Sequence, residues 1–411
     1  MRHLNEFRIN WRFLAAAGIG QAVGYSLVNY IGNVFTPLLI SQFGWSRSYI
    51  ALVGATSLLG IIAQPAAGRL ADAIGVRRTA LIGVVFAPLI FVGLSLMSGS
   101  QYQFFFLSLV QVVVVGGTTT TVVYSRLITQ EFSYMRGVAL GIAACTAPAV
   151  AAVGVPYLGR FIELSGWRAG YLAVALCTGV GGVIALLLIP AEADVRRDIG
   201  QATHRSVRDH GAILRSPVLR LIMGATVLFN LSFSMQTTQL KVILLDRGVE
   251  SSVGSMAISI FASGVIVGRL LCGVALDRFP AYVVSALALG LPAIGLGLLA
   301  TGTSAPVLVL AAVSLLGLSM GAEGDVLAYL VSRYFRMEVY GTVLGMVIGT
   351  LALSVALGSL LLSLTLKLSG SFTPFLVLSA VAVVIGSGML LLLGPAPAVS
   401  SRRLSVQTGD H

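Results

Sequence analysis

Five charged side chains sit in strongly apolar surroundings: Arg126, Lys241, Arg269, Glu323 and Asp325. A charge at the centre of an apolar slab costs about 2.5–3.5 kcal/mol, so such a group needs a partner or a wet cavity. An arginine head is a planar fork that grips a carboxylate through two parallel hydrogen bonds. A buried acid can take up and release a proton, because burial favours its neutral form. Arg269 is therefore the candidate anion-binding group, and Glu323 and Asp325 are the candidate proton-coupling acids. The two acids are two residues apart, about 200° around a helix, so they cannot both face one cavity. One is expected to pair with Arg269 and the other to pack against a neighbouring helix, and the sequence leaves open which. Arg269 acting only as a lock between two helices is the structural alternative.

Polar residues also recur at helical spacing. Gln21, Tyr25, Asn29 and Asn33 follow every fourth position, and Asn230, Ser234, Thr237 and Lys241 follow one face of a later helix, with Gln236 beside them. Thr118, Thr121 and Ser125 share a third face. Such stripes give one wet side per helix. The competing use is hydrogen bonding between helices with no solute. The candidate solute-binding set is Arg269, Tyr25, Asn29, Asn33, Thr121, Asn230, Ser234 and Gln236.

The elements that must hold these groups are membrane helices. Hydrophobic residues make up 57% of the 411 residues and charged residues 10%, where soluble domains carry about 25% charged. Apolar segments of roughly 20 residues recur about twelve times. Six lie near Trp11–Ile40, Ser48–Gly68, Thr79–Ser98, Gln103–Ile128, Gly137–Phe161 and Arg168–Ile189. Six more lie near Leu219–Leu245, Ser251–Ala275, Tyr282–Thr301, Pro306–Ser332, Gly341–Leu366 and Phe372–Leu392. The expected organisation is an all-α protein with six spans in 1–190, a linker at 191–217, six spans in 218–395 and a tail at 396–411. Arg126 and Lys241 come near span ends and are expected to snorkel to the interface. Arg269, Glu323 and Asp325 come out deeper, all three roughly 6–9 Å from mid-membrane.

The net charge of +11 follows topology and not nucleic-acid binding. With the N-terminus inside, Arg2, Arg8, Arg12, Arg77, Arg78, Arg136, Arg278, Arg333 and the arginines of the linker and tail fall on the cytoplasmic side. Only Arg47, Arg160, Arg168, Arg247 and Lys367 fall opposite. This bias puts both termini in the cytoplasm of a multi-pass inner-membrane protein. The first apolar stretch is full length and lacks a cleavage site, so it should remain as a span. Cys145, Cys177 and Cys272 all lie within spans and read as packing thiols, with no metal site or cofactor implied. The four histidines lie outside the spans, which excludes an intramembrane histidine relay. The only lysines, Lys241 and Lys367, each follow leucine. No phosphate-binding Gly-Lys loop is therefore present, and the chain reads as a non-enzyme.

The halves repeat at an offset of about 204 residues, the internal symmetry expected of carriers. Gly68-Arg-Leu-Ala-Asp72 matches Gly273-Val-Ala-Leu-Asp277, and Arg136–Gly141 matches Tyr340–Gly345. Ser165-Gly166 matches Ser369-Gly370. The loop Gly68–Arg78 resembles the signature of the major facilitator superfamily, through Gly68, Asp72, Gly75, Arg77 and Arg78. Gly44-Trp45-Ser46-Arg47, Arg136–Gly141, Gly166-Trp167-Arg168 and Gly268-Arg269 look like the monocarboxylate transporter and oxalate/formate antiporter branch. So does Gly321–Asp325 followed by Arg333-Tyr334-Phe335, which resembles a bacterial subgroup near it. The branch's acid before the span-8 arginine is Val265 here, and the nearest match to its span-1 lysine is Tyr30.

The resemblance implies two six-helix bundles that alternately expose a central site lined by spans 1, 4, 7 and 10. It implies that Arg269 meets a substrate carboxylate. The expected function is secondary transport of a small mono- or dicarboxylate, with a proton as candidate coupling ion, by a monomer in the bilayer. The rivals are an exporter of drugs or amphipathic solutes and a non-transporting receptor. A gating set completes the expectation. Asp72 should meet the start of span 11 near Gly341, and Asp277, beside Arg278, should meet the start of span 5 near Arg136.

Overall fold

The computed structural model describes residues 2–132, 135–189, 215–335 and 337–395. Eleven helical stretches there are long and apolar enough to cross a membrane. One of them, Gly137–Leu188, is 52 residues long, about 78 Å, more than twice a hydrocarbon core of ~30 Å. It is two helices, because Gly166 breaks it at φ 84, ψ 161, a conformation that L side chains avoid. Twelve crossing helices result.

In chain order they are α1 (Glu6–Phe43), α2 (Arg47–Ala71), α3 (Val76–Ser95), α4 (Gln101–Glu131), α5 (137–165) and α6 (167–188). The second six are α7 (Pro217–Thr238), α8 (Ser251–Arg278), α9 (Ala281–Ala300), α10 (Pro306–Tyr334), α11 (Val343–Ser369) and α12 (Thr373–Leu391). An even number of crossings brings both ends of the chain to one face, termed the near face; the other is the far face. The expected linker falls outside the described residues up to 214, as does the tail from 396.

In the first bundle Phe35 of α1 stacks on Tyr171 of α6 with ring centroids 3.8 Å apart. Thr146 of α5 donates to the carbonyl of Gly18 on α1 at 2.7 Å. In the second bundle α8 packs along α10, α9 against α10 and α12, and α7 against α11 and α12. The outer faces carry exposed Leu89, Leu172, Leu176, Leu187, Leu270 and Leu271, side chains that a hydrocarbon solvent accepts.

The repeat reaches into the backbone. Gly44 and Gly248, Gly99 and Gly302, and Gly166 and Gly370 all have positive φ and close far-face turns. Each pair is separated by the offset of about 204 that the motif matches had set.

Three helices depart from the continuous spans expected. α1 is interrupted at Gly24, α4 at Thr119–Thr120 and α7 at Leu231–Ser232, and Gln239 parts α7 from the short helix Leu240–Asp246 that the expected span had included. The first two interruptions touch, since the Tyr25 amide donates to Thr119 Oγ1 at 3.0 Å.

Candidate solute site between the two bundles

α8 and α10 set the geometry around Arg269. Gly264 and Gly268 of α8 face Gly317 and Gly321 of α10, and a methyl group at Gly268, Gly317 or Gly321 would overlap the backbone of the opposite helix. Two small-xxx-small stripes thus hold the helices in backbone contact. That contact fixes the rotation of α10 and so decides which acid points where.

Asp325 turns toward α8, where its Oδ2 lies 3.5 Å from Arg269 Nε. The same Nε lies 3.5 Å from the Gly321 carbonyl. Both are long for hydrogen bonds. The two terminal nitrogens of Arg269 make no hydrogen bond among the described residues, and its side chain is 22% exposed. Tyr30 of α1 and Cys145 of α5 lie within electrostatic reach of this guanidinium. The two terminal donors of the fork are thus unused among the described residues.

Glu323 turns the other way and accepts a hydrogen bond from Asn230 Nδ2 on α7. Asn230 also donates to the carbonyl of Thr226 at 3.2 Å. Glu323 makes no ion pair among the described residues. A small pocket opens beside it between α7, α9 and α10.

The polar stripes of α1 and α7 divide by depth. Toward the far face they join the bundles: Asn33 Nδ2 donates to the Gln236 carbonyl at 2.7 Å, and Asn33 Oδ1 accepts from the Lys241 amide at 3.3 Å. Ser234 packs beside Gly54 of α2 in the same seam. Deeper in the molecule, Gln21 Oε1 accepts from Thr121 Oγ1 at 3.0 Å. Gln21 Nε2, Thr120 Oγ1 and the Tyr124 hydroxyl are buried there without partners. Tyr25 is half-buried, and so is Asn29, which makes no hydrogen bond among the described residues.

One charge corrects the sequence expectation. Lys241 does not snorkel: it is 5% exposed, and its Nζ donates to Ser255 Oγ of α8 at 2.9 Å. A neighbouring helix there offers an acceptor closer than bulk water. Arg126 is half-exposed toward the end of α4 and donates to the Gly68 carbonyl of α2 at 2.7 Å.

The far face is closed by a second layer. Arg47 of α2 grips Asp246, beyond α7, through two nitrogen–oxygen contacts of 2.5 Å, and lies over the Phe372 ring at 5.7 Å. Nearby, Phe43 stacks on Trp45 and meets Trp167 edge-on, with centroids 5.1 and 5.5 Å away. The two Gly-Trp motifs of the sequence thus form one aromatic cluster. At the near face, Gly75 turns the loop between α2 and α3 with φ 91, and Asp277 and Arg278 are exposed. The side chains of Asp72 and Arg136 and the α11 start at Gly341 lie outside the described residues, and with them both expected gating contacts.

The sequence profile of the Major Facilitator Superfamily matches residues 17–359. The chain belongs to the major facilitator superfamily. No curated protein sequence matches it. Among solved structures it is similar to the nucleoside transporter NupG, with TM-score 0.71 at 12% identity, covering 93% of this chain and 97% of that one. It is also similar to the xylose transporter XylE from E. coli in a partially occluded inward-open conformation, with TM-score 0.71 at 12% identity over 94% and 98% of the chains. A bacterial homolog of the human lysosomal transporter Spinster, inward-facing and unoccupied, gives TM-score 0.67 at 16% identity over 93% and 96%. At these identities the likeness is one of fold. This superfamily member is a multi-pass carrier of small molecules.

Proposed function

We propose that this carrier moves a small organic anion, a mono- or dicarboxylate, by alternating access, with Arg269 as the carboxylate-binding group. The observation that carries the reading is the unused fork of Arg269, of which only Nε leans on Asp325 and the Gly321 carbonyl among the described residues. A carboxylate arriving there would satisfy two donors at once. Tyr25, Asn29, Thr121 and Asn230 are the proposed polar contacts around the solute, with Asn33, Ser234 and Gln236 in the seam above. Asp325 keeps the guanidinium company when the site is empty, and Glu323 is the acid left for a coupling ion. Gly68, Asp72, Gly75, Arg77 and Arg78, with Asp277, Arg278 and Arg136, form the proposed near-face lock of the outward-open state. The carrier works as a monomer in the inner membrane, and the arginine bias supports the near face as the cytoplasmic one.

Relatives of this fold carry a nucleoside or a sugar by their own descriptions, so the fold leaves the solute class open and the anion reading rests on Arg269. The Phe229 and Phe233 side of the α7 pocket favours the second reading, an exporter of amphipathic solutes. The deciving experiment is a binding screen of carboxylates against purified protein and Arg269→Ala. Loss of carboxylate binding in the variant supports the anion carrier. Unchanged binding would remove Arg269 from the site.

A further inference from the structure

The pocket between α7, α9 and α10 is lined on one side by Phe229, Phe233, Leu289, Pro292, Leu316 and Met320. Its other side offers oxygen atoms from Asn230, Gln236, Ser319 and Glu323. Asn230, Gln236 and Ser319 are 3%, 7% and 5% exposed. Gln236 spends its Nε2 on Ser232 Oγ at 2.7 Å, and Asn230 spends its Nδ2 on Glu323 and on the Thr226 carbonyl. Among the described residues, Gln236 Oε1, Asn230 Oδ1 and Ser319 Oγ accept nothing. These acceptors border the pocket and are free to serve a donor or a cation there.

Charge narrows the occupant. Glu323 has no basic partner among the described residues, because Arg269 lies on the opposite face of α10 with Asp325. A half-buried carboxylate without a basic partner draws one positive charge, an ion or a proton. No trio of acid, histidine or cysteine side chains that would suit a divalent or thiophilic ion gathers among the described residues. The 14-residue first segment of α7 ends at Asn230 on the pocket wall. The space among these side chains is of the size of a water or a bare ion.

We propose that this pocket is a binding site for one sodium ion, held by Glu323, Asn230 Oδ1, Gln236 Oε1 and Ser319 Oγ. An all-oxygen donor set with a single negative charge suits a hard monovalent cation. A proton would neutralise Glu323 but leave the three neutral acceptors open. The ion ties α10 to both segments of α7 across the Leu231–Ser232 interruption, which couples its occupancy to the bend of α7. Asn230 and Gln236 also belong to the proposed solute set, so the ion site borders the anion site, but Arg269 is no part of it.

The test is the melting temperature of the purified full-length protein at constant ionic strength, titrated with sodium, potassium or choline chloride. Sodium alone should raise it, and saturably. Ser319→Ala and Gln236→Leu should each raise the half-saturating sodium concentration about tenfold, and Glu323→Gln should abolish the response. Arg269→Ala should keep the sodium response whether or not it binds carboxylates, which separates this site from the anion site. Identical melting in the three salts would overturn the proposal, as would a wild-type sodium shift in Glu323→Gln. A melting temperature that follows pH and ignores sodium would assign Glu323 to a proton instead. If Glu323→Gln does not fold, Ser319→Ala and Gln236→Leu decide, and unchanged sodium dependence in both would sink the site.

Discussion

Arg47 and Asp246 face each other as a two-pronged ion pair, with both nitrogen–oxygen distances at 2.5 Å, one partner on each bundle. Their side chains are 38% and 28% exposed, so solvent screening limits the pair to about 1 kcal/mol. That is still about a fivefold bias toward far-face closure. Arg47→Ala leaves the Asp246 carboxylate desolvated and alone, and should shift the carrier toward far-face opening, seen as faster labelling of a cysteine placed at Asn33. A double-mutant cycle should return that coupling, and additive effects would mean the pair does not latch.

The same pair gives a pH dependence of known sign. Burial pushes the Asp246 carboxyl above the usual carboxylate range and outweighs the lowering by Arg47 and Arg247. If the carboxyl returns to its ordinary value once opening exposes it to water, closure takes up a proton. The closed form should then gain as pH falls through the raised value and lose that gain at higher pH. Cysteine labelling measured against pH should slow on acidification, and Asp246→Asn should flatten the profile.

Arg269→Lys keeps the charge but loses the fork. It should weaken carboxylate binding about tenfold or more, and Arg269→Ala should abolish it, with both variants eluting as folded protein. Calorimetric titration of the purified variants reads the difference. Equal affinity in wild type and Arg269→Lys would mean that the fork geometry is not used.

The glycine contact between α8 and α10 predicts a matched pair of outcomes. Gly321→Val drives a side chain into the α8 backbone at Val265, whereas Gly273→Ala meets open space. Overpacking of this kind costs about 1–3 kcal/mol or more. Gly321→Val should lower the melting temperature by several degrees or prevent expression, and Gly273→Ala should leave it unchanged.

Lys241 and Ser255 form a buried donor–acceptor pair at 2.9 Å. Ser255→Ala removes a Lys241 acceptor and should destabilise the protein by about 1–3 kcal/mol. Adding Lys241→Met should restore part of that loss, since removing both partners leaves nothing unsatisfied. Chemical denaturation of the single and double variants checks the order.

Much of the fold was legible because a membrane span is a matter of length and composition. The twelve apolar segments and the repeat offset were both readable in that way. The partner of Arg269 was not. Glu323 and Asp325 differ by a rotation of α10, and that rotation is set by Gly317 and Gly321 pressing on α8. The signal was present in the two small-xxx-small stripes, but it acts only once the helices are known to be neighbours. Lys241 was not legible either, because nearness to a span end measures the path to water. It does not reveal that Ser255 is nearer. The interruption of α1 was hidden for a different reason. Gly24 is one of 47 glycines in the chain, and most of them continue a helix without incident.

The interruptions and the glycine stripes divide the molecule mechanically. α8 and α10, locked backbone to backbone, behave as one stiff beam, and the anion site rides on it at fixed spacing. α1, α4 and α7 each contain a place where the hydrogen-bond ladder is already broken, so flexing there sacrifices little. Compliance in a working cycle should therefore concentrate at Gly24, Thr119–Thr120 and Leu231–Ser232. The carrier would grip its solute with its most rigid part and change shape with its softest.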